Sequence, residues 1–149
     1  MEKLKETITS LKKRLEWDEY FMSIALLVSK RSSCHRLHVG CILVHNNRII
    51  SSGYNGHLPN TEHRSVIKNN HEQMTVHAEV NSIIDCAKRN VSTNNATAYV
   101  THYPCLNCFK TLISAGVKKI IYNENYKNDE LVKELSEELE INMIHLILT

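Results

Sequence analysis

Two short runs hold the residue types for metal-assisted proton transfer: His77-Ala78-Glu79, and Pro104-Cys105-Leu106-Asn107-Cys108. Zinc takes nitrogen and sulfur ligands in a tetrahedron, and a catalytic zinc keeps one of its four positions open for water. His77, Cys105 and Cys108 supply three ligands and leave that position free. Cys105 and Cys108 stand at i and i+3, so on a helix they share a face and can chelate one ion. Pro104 sits where proline opens a helix. Both cysteines then fall in a first turn, where free N–H groups and the positive dipole end favour thiolates. His77 begins another predicted helix. Glu79 is poorly placed to be a fourth ligand and well placed to reach the water, first as general base and then as general acid. A lone Cys-x-x-Cys more often marks structural zinc or a redox pair, but a structural site closes with four protein ligands. Here the partner run is His-x-Glu and a predicted strand separates the two, so an open, catalytic centre is expected.

Helices and strands must bring these runs together. Leu4, Ile8, Leu11 and Leu15 recur at helical spacing, and Trp17 to Ser29 continues helical with Phe21, Ile24 and Val28 apolar, so a long helix with a break near Glu16 is predicted. Val39 to Val44 reads as a strand, His45-Asn46-Asn47 as a turn and Arg48 to Ser52 as the returning strand. Gly53-Tyr54-Asn55-Gly56 has turn chemistry. Residues 57–75 lack periodicity and are expected to form a loop. His77 to Lys88 is predicted helical, Ala96 to Thr101 a strand, Pro104 to Ala115 a helix capped by Gly116, and Val117 to Tyr122 a strand. Asp129 to Glu140 is an acidic helix and Ile141 to Leu148 a last strand. The order α-β-β-α-β-α-β-α-β, with no linker or repeat, supports one α/β domain over 1–149, with 1–16 as a helical extension and helices on both faces of a mixed sheet.

The 149-residue length suits one compact domain, and 42% hydrophobic with 23% charged residues is ordinary for a globular chain. No apolar run is long enough to cross a bilayer, so no membrane association is expected. Met1 to Lys13 lacks the apolar centre of a signal peptide, which makes the cytoplasm the expected location. A net charge of +2 is too small to argue for a nucleic-acid partner, although Lys30, Arg31 and Arg36 could serve one small phosphate. Five cysteines, two of them in Cys-x-x-Cys, point to metal or redox chemistry rather than a disulfide framework.

His-x-Glu followed by Pro-Cys-x-x-Cys is the signature of the zinc nucleobase deaminases. From about Trp17 to Asn128 the chain resembles the cytidine/deoxycytidylate deaminase superfamily, most of all the dCMP deaminases, including the bacterial competence-associated branch and viral relatives. Besides the zinc motif, the resemblance rests on Ser29-Lys30-Arg31-Ser32-Ser33-Cys34 with Arg36, Val39-Gly40, Gly53-Tyr54-Asn55-Gly56 and Thr101-His102-Tyr103-Pro104. It implies a three-layer α/β/α fold with a five-stranded sheet, and hydrolytic deamination of dCMP to dUMP and ammonia for dTTP precursor synthesis. In that reaction Glu79 would protonate the ring nitrogen and the leaving amine. The resemblance further implies a homohexamer, with dCTP and dTTP as effectors acting with Mg2+. It makes Asn55 the candidate for the sugar, Arg31 and Arg36 for the 5′-phosphate, and the Ala78 and Glu79 amides with Tyr103 and Tyr126 for the base. From the residues alone, Asn55 is equally a turn residue tolerating positive φ, the arginines a solvated helix end, and the tyrosines packing.

Some relatives hold a second, structural zinc, and Cys34, His63 and His71 fall at matching positions. Arg64 and Glu72 stand where those relatives have cysteines, so a buried Cys34 with solvated histidines is the favoured reading. Cys41 and Cys86 are expected in the core. Two other functions compete: a tRNA adenosine deaminase, which would show a broader basic surface, and a non-catalytic zinc module, which would have no need of Glu79.

Overall fold

The structure is a computed structural model that describes residues 1–148; Thr149, the last residue of the expected domain, lies outside them. Helices α1 (Glu2–Thr9) and α2 (Trp17–Ser29) precede strands β1 (Gly40–His45) and β2 (Arg48–Tyr54). Four two-residue strands follow: β3 (Gly56–His57), β4 (Ile67–Lys68), β5 (His71–Glu72) and β6 (Thr75–Val76). The remaining elements are α3 (Ala78–Lys88), β7 (Thr97–His102), α4 (Leu106–Ser114), β8 (Lys119–Glu124), α5 (Glu130–Glu138) and β9 (Asn142–His145).

The main sheet is five-stranded and mixed, in the order β2-β1-β7-β8-β9. β1 pairs antiparallel with β2 and β7, whereas β7, β8 and β9 run parallel. Asn46 and Asn47, both at positive φ, make the tight β1–β2 turn. The parallel pairs need crossovers, and α4 and α5 supply them. Alternation along the strands sorts the core into two layers. Ile42, Val44, Tyr99 and Ile121 face Phe21, Met22 and Ala25 of α2. Cys41, Leu43, Ala98, Val100 and Ile120 face the other way, against α3, α4 and α5 through Cys86, Phe109, Leu112 and Val132. The three-layer expectation is met, and Cys41 and Cys86 lie in the core as expected.

Five boundaries differ from the sequence reading. α1 ends at Thr9 instead of continuing past Leu15. It buries no residue, and Thr7, Thr9 and Ser10 turn their hydroxyls back onto helix carbonyls, so neither packing nor local chemistry extends it. β2 runs on through Gly53 and Tyr54, which pair with Cys41 and Gly40, so these two residues are strand and not turn. The 57–75 segment is not featureless, since β3 pairs with β6 and β4 with β5. Pro104 lies just before α4, whose N-cap is Cys105. The last strand is short because the Ile141 amide closes the end of α5 on Ser136 O at 2.8 Å; beyond His145, Leu146 still donates to Tyr122 O at 2.8 Å.

Candidate metal centre and active site

Two helix starts define the centre. His77 is the N-cap of α3 and Cys105 the N-cap of α4, both with extended backbone, so each side chain projects at the end of its helix. Cys108 occupies the third helical position of α4 and donates its N–H to Cys105 Sγ at 3.5 Å. The hairpin of β1 and β2 holds α3 in place. Ser51 donates to Ser82 O at 2.6 Å, Asn81 Nδ2 donates to Tyr54 O at 2.8 Å, and Ser82 Oγ lies 3.1 Å from Cys41 O. Gly53 has no side chain because the α3 backbone lies against it: a Cβ there would be 2.4 Å from Ala78 O.

His77 Nδ1 stands 3.2 Å from Cys108 Sγ and 3.6 Å from Cys105 Sγ, and the three ligand atoms lie within 4.8 Å of one another. Ligands at about 2.1 Å (N) and 2.3 Å (S) from one tetrahedral ion stand about 3.6 Å apart. The donor set and its spacing therefore fit a single zinc. Within this cluster the two thiols are pushed in opposite directions. The Cys108 hydrogen bond, with His77 assisting, holds the Cys105 thiol down to about 4, whereas Cys108 is driven up, by Cys105 first and burial second. Contact with Cys105 holds His77 above the usual imidazole range.

Glu79 is buried, 4% exposed, at the second position of α3 beside these ligands. Burial raises its carboxyl above the ordinary range, opposed by its own backbone N–H and by the positive charge of His77.

The cluster opens onto a pocket that also takes in Ala78, Asn55, Arg36, Tyr103 and Tyr126, together with Cys34 and His71. Asn55 is buried and does not take positive φ. Its Oδ1 accepts from Val39 N–H at 2.8 Å and Ser32 Oγ at 2.6 Å, and its Nδ2 donates to Leu37 O at 2.7 Å. Among the described residues Nδ2 has this one partner, which leaves its second hydrogen for a ligand; the rest of the amide pins the 32–39 loop. Arg36 donates to Tyr126 Oη at 2.8 Å and to Asn70 O at 2.5 Å. Tyr103 packs edge-on against Tyr122, and Tyr126 edge-on against His102.

Arg31 is exposed and lies outside the pocket lining, because the chain leaves α2 there and turns away. Cys34, His63 and His71 do not come together: among the described residues only His77, Cys105 and Cys108 form a group of three close enough to hold an ion. Cys34 is buried at the pocket wall, and His63 stacks on His57 at 4.6 Å instead. His57 in turn is engaged by Ser33 Oγ and Arg64 O, both at 3.0 Å.

Two lining residues with ionisable side chains carry no role expected from the sequence: His102 and Glu72. His102 sits within the Thr-His-Tyr-Pro-Cys run and its Nδ1 lies 2.9 Å from Thr101 Oγ1, which accepts Gly40 N–H at 3.1 Å. Burial holds His102 below the usual imidazole range, against a smaller upward pull from Glu124. His102 lies in the Thr101-His102-Tyr103-Pro104 run that carries the family resemblance, whereas Glu72 marks only a departure from the second-zinc pattern.

A three-layer α/β/α fold with a His-Cys-Cys centre and a buried glutamate is the arrangement found in the zinc nucleobase deaminases. Residues 15–124 match the cytidine and deoxycytidylate deaminase zinc-binding region, and the chain belongs to that family. It is 41% identical over 129 residues to ComE operon protein 2 of Bacillus subtilis, covering 84% of this chain and 68% of that one. It is 35% identical over 127 residues to the deoxycytidylate deaminase of Saccharomyces cerevisiae, covering 78% of this chain and 40% of the yeast protein. Against the crystal structure of dCMP deaminase from cyanophage S-TIM5 in complex with dCMP and dUMP, the TM-score is 0.77 at 30% identity, covering 90% of this chain and 99% of that one. No helix among the described residues is long and apolar enough to cross a membrane.

Proposed function

We propose that the protein hydrolyses dCMP to dUMP and ammonia. One observation carries the reading: buried Glu79 stands beside a three-ligand centre without being one of its ligands, at the floor of a pocket that also takes in Arg36. A bound zinc, held by His77, Cys105 and Cys108, would supply the charge that brings a water molecule's pKa toward neutrality. Glu79 takes a proton from the attacking water as it adds to C4 of the base. It passes that proton to the ring nitrogen N3 and carries the next one to the departing amine, so water and dCMP become dUMP and ammonia. The amides of Ala78 and Glu79 hold the base, the free Nδ2 hydrogen of Asn55 meets the sugar, and Tyr103 and Tyr126 flank the ring. Arg36, with its planar fork of donors, suits the 5′-phosphate. Arg31 is assigned no part in that contact, since it lies outside the pocket. The S-TIM5 structure supports dCMP as substrate, because that relative, a dCMP deaminase, was crystallised with dCMP and dUMP. Assembly as a homohexamer in the cytoplasm and regulation by dCTP and dTTP with Mg2+ belong to this reading on family grounds. A tRNA substrate is disfavoured by the net charge of +2.

The test is ammonia release from dCMP, dCTP, deoxycytidine, CMP and a tRNA anticodon stem-loop, with Glu79→Gln beside the wild type. dCMP should be the best substrate, and Glu79→Gln should keep one zinc per chain while losing about 10²- to 10⁴-fold in turnover. Preference for the stem-loop, or undiminished turnover in Glu79→Gln, refutes the assignment.

A further inference from the structure

The pocket wall formed by residues 65–74 has little apolar burial to order it. Val66, Glu72 and Met74 are partly buried, and the other seven positions, Ile67 included, are exposed. Among the described residues it also has no metal-ligand group of its own. Its order must come from polar contacts, and these converge on one carboxylate. Glu72 accepts the Ser65 hydroxyl on one carboxylate oxygen; the other accepts the Met74 N–H at 2.9 Å and the Val66 N–H at 3.1 Å. Ser65 and then the backbone amides hold its carboxyl down at about 2, so the charge persists at any working pH. Gln73 N–H closes the loop on Val66 O at 2.8 Å.

The tip of the wall is latched separately. Asn69 and Asn70, both at positive φ, make the β4–β5 turn. The Asn70 carbonyl accepts from Arg36 at 2.5 Å and from Lys127 Nζ at 3.3 Å. Its near end is tied through Arg64 O to His57. His71, Glu72 and Thr75 thereby reach the lining of the pocket that Arg36 and Tyr126 also line.

We propose that Glu72 is a positioning residue whose carboxylate shapes residues 65–74 into a preformed wall of the deaminase pocket and so sets how tightly substrate is held. The proposal rests on the deaminase reading above. A preformed wall spares the substrate the cost of ordering that segment on binding, which acts on affinity and not on the chemical step. Charge-assisted hydrogen bonds are the strong ones, and three converge here.

The experiment compares wild type, Glu72→Ala and Glu72→Gln, all zinc-loaded, by amide hydrogen exchange at Val66 and Met74 and by steady-state kinetics on the best cytosine substrate of the panel. In Glu72→Ala both amides should exchange at least about tenfold faster and KM should rise about tenfold or more. Meanwhile kcat should stay within about threefold and zinc at one per chain. Glu72→Gln keeps an acceptor oxygen and should recover much of both effects. Unchanged exchange, an unchanged KM despite faster exchange, or a fall in kcat that tracks zinc loss would each overturn the proposal. Wild-type protein that turns over none of the substrates would refute the deaminase reading itself, and this proposal with it. Normal wild-type turnover with an inert Glu72→Ala refutes the proposal alone.

Discussion

Replacing Gly53 by alanine tests the link between the sheet and the chemistry. The added Cβ would sit 2.4 Å from Ala78 O, 2.6 Å from Ser82 N and 2.7 Å from Ser82 Oγ. Ordinary contact begins near 3.4 Å, so the first turn of α3 must retreat by about 1 Å. That turn follows the N-cap His77 and contains Glu79, and Ser51, Asn81 and Ser82 fasten it to β1 and β2. It cannot move without straining those bonds and carrying a metal ligand and the proton carrier with it. Overpacking of this kind costs about 1–3 kcal/mol, or several degrees of melting temperature for a chain of this length. A misplacement of about 1 Å at reacting groups costs about 10²-fold in rate. Gly56→Ala is the control, since the nearest atom to its Cβ would be Tyr54 Cε2 at 3.4 Å. The assay is ammonia release from dCMP at matched zinc content, with thermal melts alongside. Gly53→Ala should lose about two orders of magnitude in turnover, and Gly56→Ala should stay near wild type. Turnover within twofold of wild type in Gly53→Ala, or an equal loss in both variants, would refute the argument that backbone contact at Gly53 sets the position of α3.

Asn55→Ala removes the partners of Val39 N–H, Ser32 Oγ and Leu37 O, which should destabilise the fold by about 3 kcal/mol and raise KM; a loss under about 1 kcal/mol in denaturant melts would contradict the clamp. His102 has its folded-state pKa depressed by burial, so the unfolded chain binds its proton first. Stability should therefore decline as pH falls below the ordinary histidine value of about 6.5 and level off once the folded-state value is passed. His102→Gln should show a shallower decline over that window, and parallel melting curves for the two proteins would count against it.

Much of the fold was legible because its patterns are local. The unbroken apolar runs Cys41 to Val44 and Ala98 to Val100 mark strands buried on both faces, and the Asn46-Asn47 turn marks the hairpin. The errors fall where tertiary contact overrules local chemistry. Gly53 and Tyr54 read as a turn because the run Gly53-Tyr54-Asn55-Gly56 is rich in glycine and asparagine, yet Gly53 is glycine so that a helix backbone can lie on a strand. The 57–75 segment showed no period because its order comes from Glu72, Arg36, Lys127 and His57, single polar residues that leave no repeating signal.

By itself the sequence determined the donor set. His77, Cys105 and Cys108 with Glu79 specify an open zinc centre with a spare carboxylate, since ligand chemistry depends on residue type and the helix starts depend on local signals. Only the tertiary structure decided what surrounds that centre. It brought Arg36 to the pocket and left Arg31 outside, kept Cys34, His63 and His71 apart, and buried Glu79 deeply enough to raise its carboxyl. Those outcomes depend on how α2, α3 and the 65–74 wall meet across the sheet. No residue's identity carries that information, because burial and distance are properties of the packed chain.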